Sequence, residues 1–118
     1  MLNLNHKKLI VWEKSMNLVR EVYALTKRLP KEELYVLTSQ LRRASVSVAS
    51  NIAEGASRKS TIERRRFYQI SRSSAVEIDT QIEICSMLNY FKSEYLLTLK
   101  SELNNVFALL TAMINNTK

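Results

Sequence analysis

The fold is decided by the stretch Arg42–Gly55, which reads RRASVSVASNIAEG. Its apolar residues recur every three or four positions, the spacing that places side chains on one face of an α-helix. Polar residues with the same spacing follow a neighbouring face. The apolar face is Leu34, Leu37, Leu41, Ala44, Val48 and Ile52, and the polar face is Gln40, Arg43, Ser47, Asn51 and Glu54. The stretch therefore predicts one helix with a buried seam beside a ladder of hydrogen-bonding groups. Gly55, the only glycine, would close this helix in the left-handed conformation.

The rest of the chain has too few turn-forming residues for any fold but a helical one. A length of 118 residues predicts a single domain, 1–118, with one core. One glycine and one proline leave few turns and therefore a few long elements. No stretch alternates apolar and polar residues between turn signals, as a strand would. We therefore expect an all-α protein.

The turn signals divide the chain into helices at about 9–29, 31–55, 61–89 and 94–115. Pro30 ends the first helix and starts the second, because proline is tolerated only in the first turn of a helix. Ser60 and Glu63 have the spacing of a capping box at the start of the third helix. A break at 89–92 follows, and Ser93 is the expected cap of the fourth helix. Short connections predict an antiparallel, up-down-up-down four-helix bundle.

Two of these helices carry more apolar residues than one core seam requires. In the first helix, a stripe of Trp12, Met16, Val19 and Tyr23 lies beside a second stripe of Leu18, Val22, Leu25 and Leu29. The fourth helix has a heptad seam of Leu96, Leu99, Leu103, Val106, Leu110 and Met113, and further apolar residues at Leu97, Phe107, Leu109 and Ile114. A wide apolar face on a long helix indicates a second burial surface. We therefore expect a homo-oligomer.

Antiparallel helices would gather the positive charge at one end of the bundle. The basic residues expected there are Lys7, Lys8, Lys14, Arg58, Lys59, Arg64, Arg65, Arg66 and Lys118, against the acids Glu13, Glu54 and Glu63. Nine minus three leaves +6 of the net charge of +7 at that end. Concentrated positive charge attracts polyanions, although such residues can also merely keep a loop soluble.

We interpret that end as a nucleic-acid contact surface for RNA or DNA, with little sequence specificity. The expected binding residues are Lys7, Lys8, Arg58, Lys59, Arg64, Arg65 and Arg66. A larger ribonucleoprotein or a polymerase is a further possible partner. The alternative is a protein-interaction scaffold whose basic end docks an acidic protein and touches no nucleic acid. Peripheral membrane binding fits less well, because no amphipathic helix offers free aromatic anchors.

The polar ladder of the second helix predicts a hydrogen-bonded layer against the third helix. If the turn is centred near residue 58, Gln40 and Arg43 can reach Glu77. The expected members are Gln40, Arg43, Ser47, Asn51, Glu54, Ser74 and Glu77. Such a layer fixes the register of the helices, because a buried charge has to be paired; the alternative is a catalytic or ligand pocket. Glu54 opposes the helix dipole and should pair with Arg58 or Arg65.

The sequence offers little material for catalysis. The only histidine is His6, so neither a histidine triad nor a histidine-rich metal site can form. One glycine excludes a phosphate-binding loop and a dinucleotide fingerprint. Cys85 lies on the apolar stripe of the third helix and is expected in the core. We expect a non-enzymatic protein without metal, cofactor or small-molecule substrate.

The chain is also expected to be cytoplasmic. No apolar run approaches the roughly 20 residues that a membrane span requires. The apolar run near the N-terminus is too short for a signal peptide, and a single cysteine agrees with a reducing compartment.

Several motifs over residues 9–92 resemble one known family. They are Val11-Trp12-Glu13-Lys14-Ser15-Met16, Leu29-Pro30, Gln40-Leu41-Arg42-Arg43-Ala44, Asn51-Ile52-Ala53-Glu54-Gly55 and Ser74-Ala75-Val76-Glu77. The chain thereby resembles the bacterial four-helix-bundle proteins encoded in intervening sequences of 23S ribosomal RNA genes. These are similar in turn to the accessory variability protein of diversity-generating retroelements. That protein is a homopentameric barrel with a basic surface that contacts nucleic acid and a reverse transcriptase.

The resemblance implies a pentamer of up-down bundles. The chain departs from the family pattern at Ser73-Ser74, where the family usually has Gly-Ser.

Overall fold

The computed structural model describes residues 1–117, and within them the chain forms helices and helical turns but no strand. The all-α class is therefore confirmed. The four α-helices are α1 (Ile10–Thr26), α2 (Ser39–Ser57), α3 (Thr61–Met87) and α4 (Leu97–Asn116). Short 3-10 turns at Asn5–Lys8, Lys31–Glu33 and Ser93–Leu96 precede α1, α2 and α4 respectively.

Helix α1 ends at Thr26, three residues before its predicted boundary. Beyond Thr26 the backbone forms tighter turns of the 3-10 type, in which the amides of Arg28 and Leu29 donate to the carbonyls three residues earlier, at 3.0 and 3.1 Å. Pro30 disfavours helical backbone at the residue before it. The proline therefore shortens the helix as well as stopping it.

The predicted second helix is regular only from Ser39 onward. Pro30 is followed first by the 3-10 turn Lys31–Glu33 and then by a π-helical turn, Leu34–Thr38. Hydrogen bonds in a π turn run from i to i+5, so the turn holds one residue more than an α turn. Leu37 is buried, but Leu34 is 46% exposed. The predicted inward position of Leu34 is therefore wrong, because the π turn breaks the helical spacing on which it rested.

Gly55 does not close α2 in a left-handed conformation, as its position in the sequence suggested. Its φ is not positive, and the helix continues to Ser57. The residue is instead buried against α3. A Cβ atom there would lie 2.7 Å from Cε1 and 2.9 Å from Cδ1 of Tyr68, and 3.1 Å from Cβ of Phe67. The glycine is therefore required by the close approach of two helices.

Local hydrogen bonds set both ends of α3. At its start, Ser60 Oγ accepts from the amide of Glu63 at 3.3 Å, which confirms the serine half of the predicted capping box. At its end, Asn89 has φ 59°, and the amides of Asn89 and Tyr90 donate to the carbonyls of Ser86 and Cys85, each at 3.0 Å. These bonds form a Schellman motif, in which asparagine tolerates the left-handed conformation. The predicted break at 89–92 is confirmed.

Helix α4 begins at Leu97 and not near residue 94. Ser93 lies inside the preceding 3-10 turn, and its side chain makes no capping hydrogen bond, so the predicted cap is wrong. The predicted heptad seam is buried from Leu96 through Leu110, but its last buried member is Ile114 and not Met113. A straight α-helix drifts out of a 3.5-residue repeat, which accounts for the shift at the end.

All four helices contribute to one core. Helix α1 packs on α2 and α4, and α3 packs on the same two helices, with the most extensive contact between α2 and α3. The fully buried side chains include Leu18, Val22, Leu41, Val48, Ile52, Ile78, Val106 and Leu110. Among the helices of residues 1–117, none combines the length and apolarity that a membrane span requires.

The two predicted stripes of α1 have different environments. Leu18, Val22 and Leu25 of the second stripe are buried in the core. Met16 and Tyr23 of the first stripe are 42% and 37% exposed. The first stripe therefore leaves an apolar face on the surface of the molecule.

Candidate nucleic-acid interface

Contacts join the start of α3 to the end of α4, and the turn before α1 to α2. Arg65 in the first turns of α3 donates from Nε to the carbonyl of Ile114 in α4, at 3.4 Å. The turn Asn5–Lys8 contacts α2, and Trp12 lines a groove with Ala53 near the end of α2. We call this region the basic end; it is formed by the predicted residues Lys7, Lys8, Arg58, Lys59, Arg64, Arg65 and Arg66. Lys118 lies outside the described residues.

Arg64 folds back over the turn between α2 and α3. Its Nη1 donates to the carbonyl oxygens of Arg58 and Lys59 at 3.0 and 2.8 Å, and its Nη2 donates to Oγ1 of Thr61 at 3.3 Å. Three hydrogen bonds from one guanidinium hold the turn in a single shape. Arg64 thereby positions the cations on either side of it.

Arg65 fastens the end of α4. Besides its bond to Ile114, its Nη2 donates to the carbonyl of Thr117. The last carbonyls of a helix have no partner within the helix and carry partial negative charge. A guanidinium at this place satisfies both groups, so Arg65 has a structural role.

The cations that remain free are Lys8, Lys59 and Arg66. All three side chains are exposed. Among residues 1–117 no group forms a hydrogen bond or ion pair with any of them. Consecutive residues of a helix point about 100° apart, so Arg66 faces solvent while Arg64 and Arg65 turn toward the protein.

Arg58 and Lys7 have weak partners of their own. Arg58 forms an ion pair with Glu54 at 3.2 Å, which confirms the partner expected for Glu54. Its Cζ lies 4.9 Å from the centre of the Phe67 ring. The Lys7 ammonium donates to the carbonyl of Leu2. Exposed ion pairs contribute little free energy, so a phosphate group can compete for Arg58.

Part of the predicted polar layer is present between α2 and α3. The hydroxyls of Ser47 and Ser74 lie 2.8 Å apart. Asn51 Nδ2 donates to the carbonyl and to Oγ of Ser47, at 2.8 and 3.0 Å. Further along, Gln40 Oε1 accepts from Nε2 of Gln81 at 3.4 Å. The layer joins the two helices, as register specification requires.

Arg43, Glu77 and Glu54 do not belong to this layer, contrary to the prediction. Arg43 and Glu77 are exposed, and within the described chain no hydrogen bond joins the side chain of either to another residue. The prediction centred the turn too early, because α2 continues past Gly55 to Ser57. Gln40 consequently lies opposite Gln81, about one helical turn beyond the predicted neighbour Glu77. Glu54 is exposed and pairs with Arg58.

Two polar contacts were missed at the sequence level. Ser71 is fully buried and donates to the carbonyl of Val48 at 2.8 Å. Arg42, and not its neighbour Arg43, turns toward α1, where its Nε donates to Oγ1 of Thr26 at 2.9 Å. Its Cζ also lies 4.8 Å from the centre of the Tyr23 ring. Ser71 lies about one helical turn before Ser74, so the sequence pattern could have predicted its contact with α2. Nothing in the pattern distinguished Arg42 from Arg43.

The one thiol of the chain is enclosed. Cys85 is fully buried in the core, as expected. Burial, with a smaller contribution from the negative charge of Glu33, raises its pKa to about 11. The thiol is therefore protonated at neutral pH and is a poor nucleophile. Within residues 1–117, no three His, Cys, Asp or Glu side chains are grouped so that they could hold a metal ion.

Comparison with known proteins gives a family and a structural neighbour. Residues 7–112 match a family model described as 23S rRNA-intervening sequence protein. The fold is similar to the crystal structure of a protein of unknown function from the S23 ribosomal protein family of Bacteroides thetaiotaomicron. The TM-score is 0.82 at 22% identity, over 89% of this chain and 98% of that chain. The search of curated proteins finds no match.

Proposed function

The chain belongs to the family of 23S rRNA-intervening sequence proteins, and we propose that it is a non-enzymatic protein that binds RNA through its basic end. The observation that carries the proposal is the group of exposed cations without protein partners, Lys8, Lys59 and Arg66. Arg64 and Arg65 belong to the same basic end, and their charges add to its positive potential. Cations on a surface without a base-reading motif contact phosphates, which gives affinity without sequence specificity.

The arrangement that we propose for the helices is up-down-up-down. Between α2 and α3, Gln40 pairs with Gln81 and Ser47 with Ser74, so that residue numbers rise in one helix as they fall in the other. The bond from Arg65 to Ile114 joins the start of α3 to the end of α4. Both sets of contacts favour antiparallel neighbours.

We further propose that the protein is a homo-oligomer, with five subunits by resemblance to the retroelement accessory protein. Apolar residues remain on its surface, among them Met16, Tyr23, Val46, Leu97 and Phe107, which are between 37% and 67% exposed. Burial of such faces between copies would remove apolar area from water. Each subunit would add its own free cations, and so the oligomer would bind a polyanion by several contacts at once. We place this assembly in the cytoplasm, where the free thiol of Cys85 stays reduced.

The experiment is a salt titration of RNA binding, read by fluorescence anisotropy of a labelled single strand. If Lys8, Lys59 and Arg66 each neutralise one phosphate, log Kobs should fall against log salt with a slope of about −2 per protomer. Replacing Arg66 with alanine should weaken binding to all RNA sequences alike and make the slope shallower by about 0.7.

The matched control is Arg43→Ala, which removes the same charge from an exposed position of α2 outside the basic end. Its affinity and slope should equal those of the unmodified protein. A slope near zero, or equal losses in Arg43→Ala and Arg66→Ala, would contradict RNA binding at the basic end. If the protein retains an acidic protein but no RNA, the scaffold alternative replaces the proposal.

A further inference from the structure

The end of the molecule remote from the basic end carries a pocket of about 500 Å³. It is lined by Arg28, Asn89, Tyr90, Phe91, Lys92 and Tyr95. Its walls thus provide three aromatic rings, two cations and one amide, and none of the lining residues is acidic. Its volume lies within the range of sites that hold small organic molecules.

The aromatic walls are held in place by specific contacts. The hydroxyl of Tyr90 donates to Oε2 of Glu33 at 2.6 Å, and Phe91 packs against the core. The hydrogen bond to Glu33 is the main cause that raises the pKa of Tyr90 to about 12, so the phenol remains neutral. The Schellman motif at Asn89 fixes the backbone between α3 and these rings. The pocket is therefore formed before any ligand enters.

Arg28 and Tyr95 form a stacked pair at the edge of the pocket. The Cζ atom of Arg28 lies 4.2 Å from the centre of the Tyr95 ring, and the tyrosine remains 44% exposed. A guanidinium that stacks by its face keeps the N–H groups of its edge available as donors. No group in the described part of the chain accepts a hydrogen bond from the side chain of Arg28 or of Lys92. The side chains of Arg28 and Lys92 therefore have N–H donors available beside the exposed ring of Tyr95.

We propose that this pocket binds a nucleoside phosphate, whose base stacks on the aromatic walls while its phosphate contacts Arg28 and Lys92. A planar base and an adjacent anion match the two kinds of group that the pocket offers. The amide of Asn89 can donate to or accept from the edge of any base, which favours broad base tolerance. That the nucleotide is an unpaired residue of the RNA held at the basic end rests on the proposed RNA-binding function, whereas binding of a nucleoside phosphate does not.

The test compares a single-stranded RNA with a duplex of the same length, because paired bases cannot enter a stacking pocket. Tyr95→Ala should weaken single-strand binding by about 5- to 100-fold, the usual effect of losing one base–aromatic stack. Duplex binding should stay unchanged, and Tyr95→Phe, which keeps the ring, should retain most of the single-strand affinity. The matched control is Tyr35→Ala, at a tyrosine that is 89% exposed and outside the pocket.

A second arm measures direct binding of adenosine monophosphate and of inorganic phosphate by calorimetry. Adenosine monophosphate should bind more tightly than phosphate, and both Tyr95→Ala and Lys92→Ala should weaken it, whereas Lys100→Ala should not. If the monophosphate binds in this way but Tyr95→Ala leaves the affinity for RNA unchanged, the pocket binds free nucleotides and not a residue of the RNA. Equal effects of Tyr95→Ala and Tyr35→Ala on monophosphate binding, or no monophosphate binding, would overturn the proposal.

The two proposals fail separately. Arg66→Ala should weaken binding to single strands and duplexes equally, whereas Tyr95→Ala should affect single strands alone. Loss of the second effect with the first intact removes the RNA contact at the pocket and leaves the basic end, and the calorimetry then decides whether the pocket binds nucleoside phosphates. The reverse result removes the basic end and leaves the pocket.

Discussion

At the scale of single residues, small side chains determine how closely α2 and α3 pack. Gly55 lets the Tyr68 ring lie against the α2 backbone, and the buried hydroxyls of Ser71 and Ser74 are each hydrogen-bonded to α2. The distance between two packed helices depends on the side chains at their contact. Ser73, where the family pattern has glycine, is exposed. Its extra atoms therefore do not enter this contact.

Replacing Gly55 with alanine should destabilise the fold despite the better helix propensity of alanine. The propensity gain is about 1 kcal/mol, whereas inserting a carbon into a well-packed contact costs about 1–3 kcal/mol. We expect a net loss of about 1 kcal/mol and a melting temperature lower by about 4 °C, measured by thermal unfolding with circular dichroism. Ser50→Ala, at an exposed position of the same helix, should change stability far less. A Gly55→Ala protein as stable as the original would refute the packing role.

At the scale of helices, sequence periodicity predicted the number and kind of elements but not their ends. Apolar spacing located α1 to α4 because burial, which the pattern records, fixes the face that each helix presents. The change of helical pitch at 31–38 was not predicted, because the 3-10 and π hydrogen bonds there depart from the α-helical spacing that the apolar residues suggest. That α2 extends beyond Gly55 was missed for a related reason. A glycine that serves a close approach looks the same in sequence as one that serves a turn.

The same limit applies to the candidate site. Clustering of positive charge stays a prediction, and it needs only the order and orientation of the helices. Which arginine of 64–66 is free could not be predicted, because it depends on carbonyl groups at the ends of α2 and α4. The pocket at the remote end was missed because Arg28 is distant in sequence from Tyr95.

Arg65→Ala should loosen the last turn of α4. Its guanidinium supplies donors to the carbonyls of Ile114 and Thr117, and a charged donor at a helix C-terminus contributes about 1 kcal/mol. We expect a comparable loss of stability and faster amide hydrogen exchange in the final turn of α4. Arg66→Ala removes the same charge at an exposed neighbour and should leave both quantities unchanged. Identical exchange rates in the two variants would exclude the structural role of Arg65.

At the scale of the whole molecule, the two ends differ in chemistry. One end gathers exposed cations, and the other combines two cations with a pocket lined by three aromatic rings. The molecule measures 44 × 29 × 21 Å, so its ends lie far apart relative to its width. An RNA strand that occupied both sites would therefore have to follow the long axis. Only a strand with unpaired bases could make both contacts, because paired bases cannot enter a stacking pocket.

The exposed apolar faces of α1 and α4 lead to a prediction about mass in solution. A pentamer of the 13.7 kDa chain has a mass of about 68 kDa, five times the monomer. Multi-angle light scattering at two protein concentrations should give this value at both. Replacing Met16 with glutamate places a charge on one of these faces and should reduce the mass, whereas Arg43→Glu should not. A mass of 13.7 kDa at both concentrations would exclude the oligomer.

The π-helical turn Leu34–Thr38 also bears on how the length of the chain can vary. Because this turn already contains one residue more than an α turn, deleting a residue there would restore regular pitch without rotating Leu41 or Val48. The same deletion within α2 would turn one half of the helix by about 100° relative to the other and move buried residues into water. A one-residue deletion should therefore be tolerated where the chain enters α2 and should disrupt the core when made further along that helix.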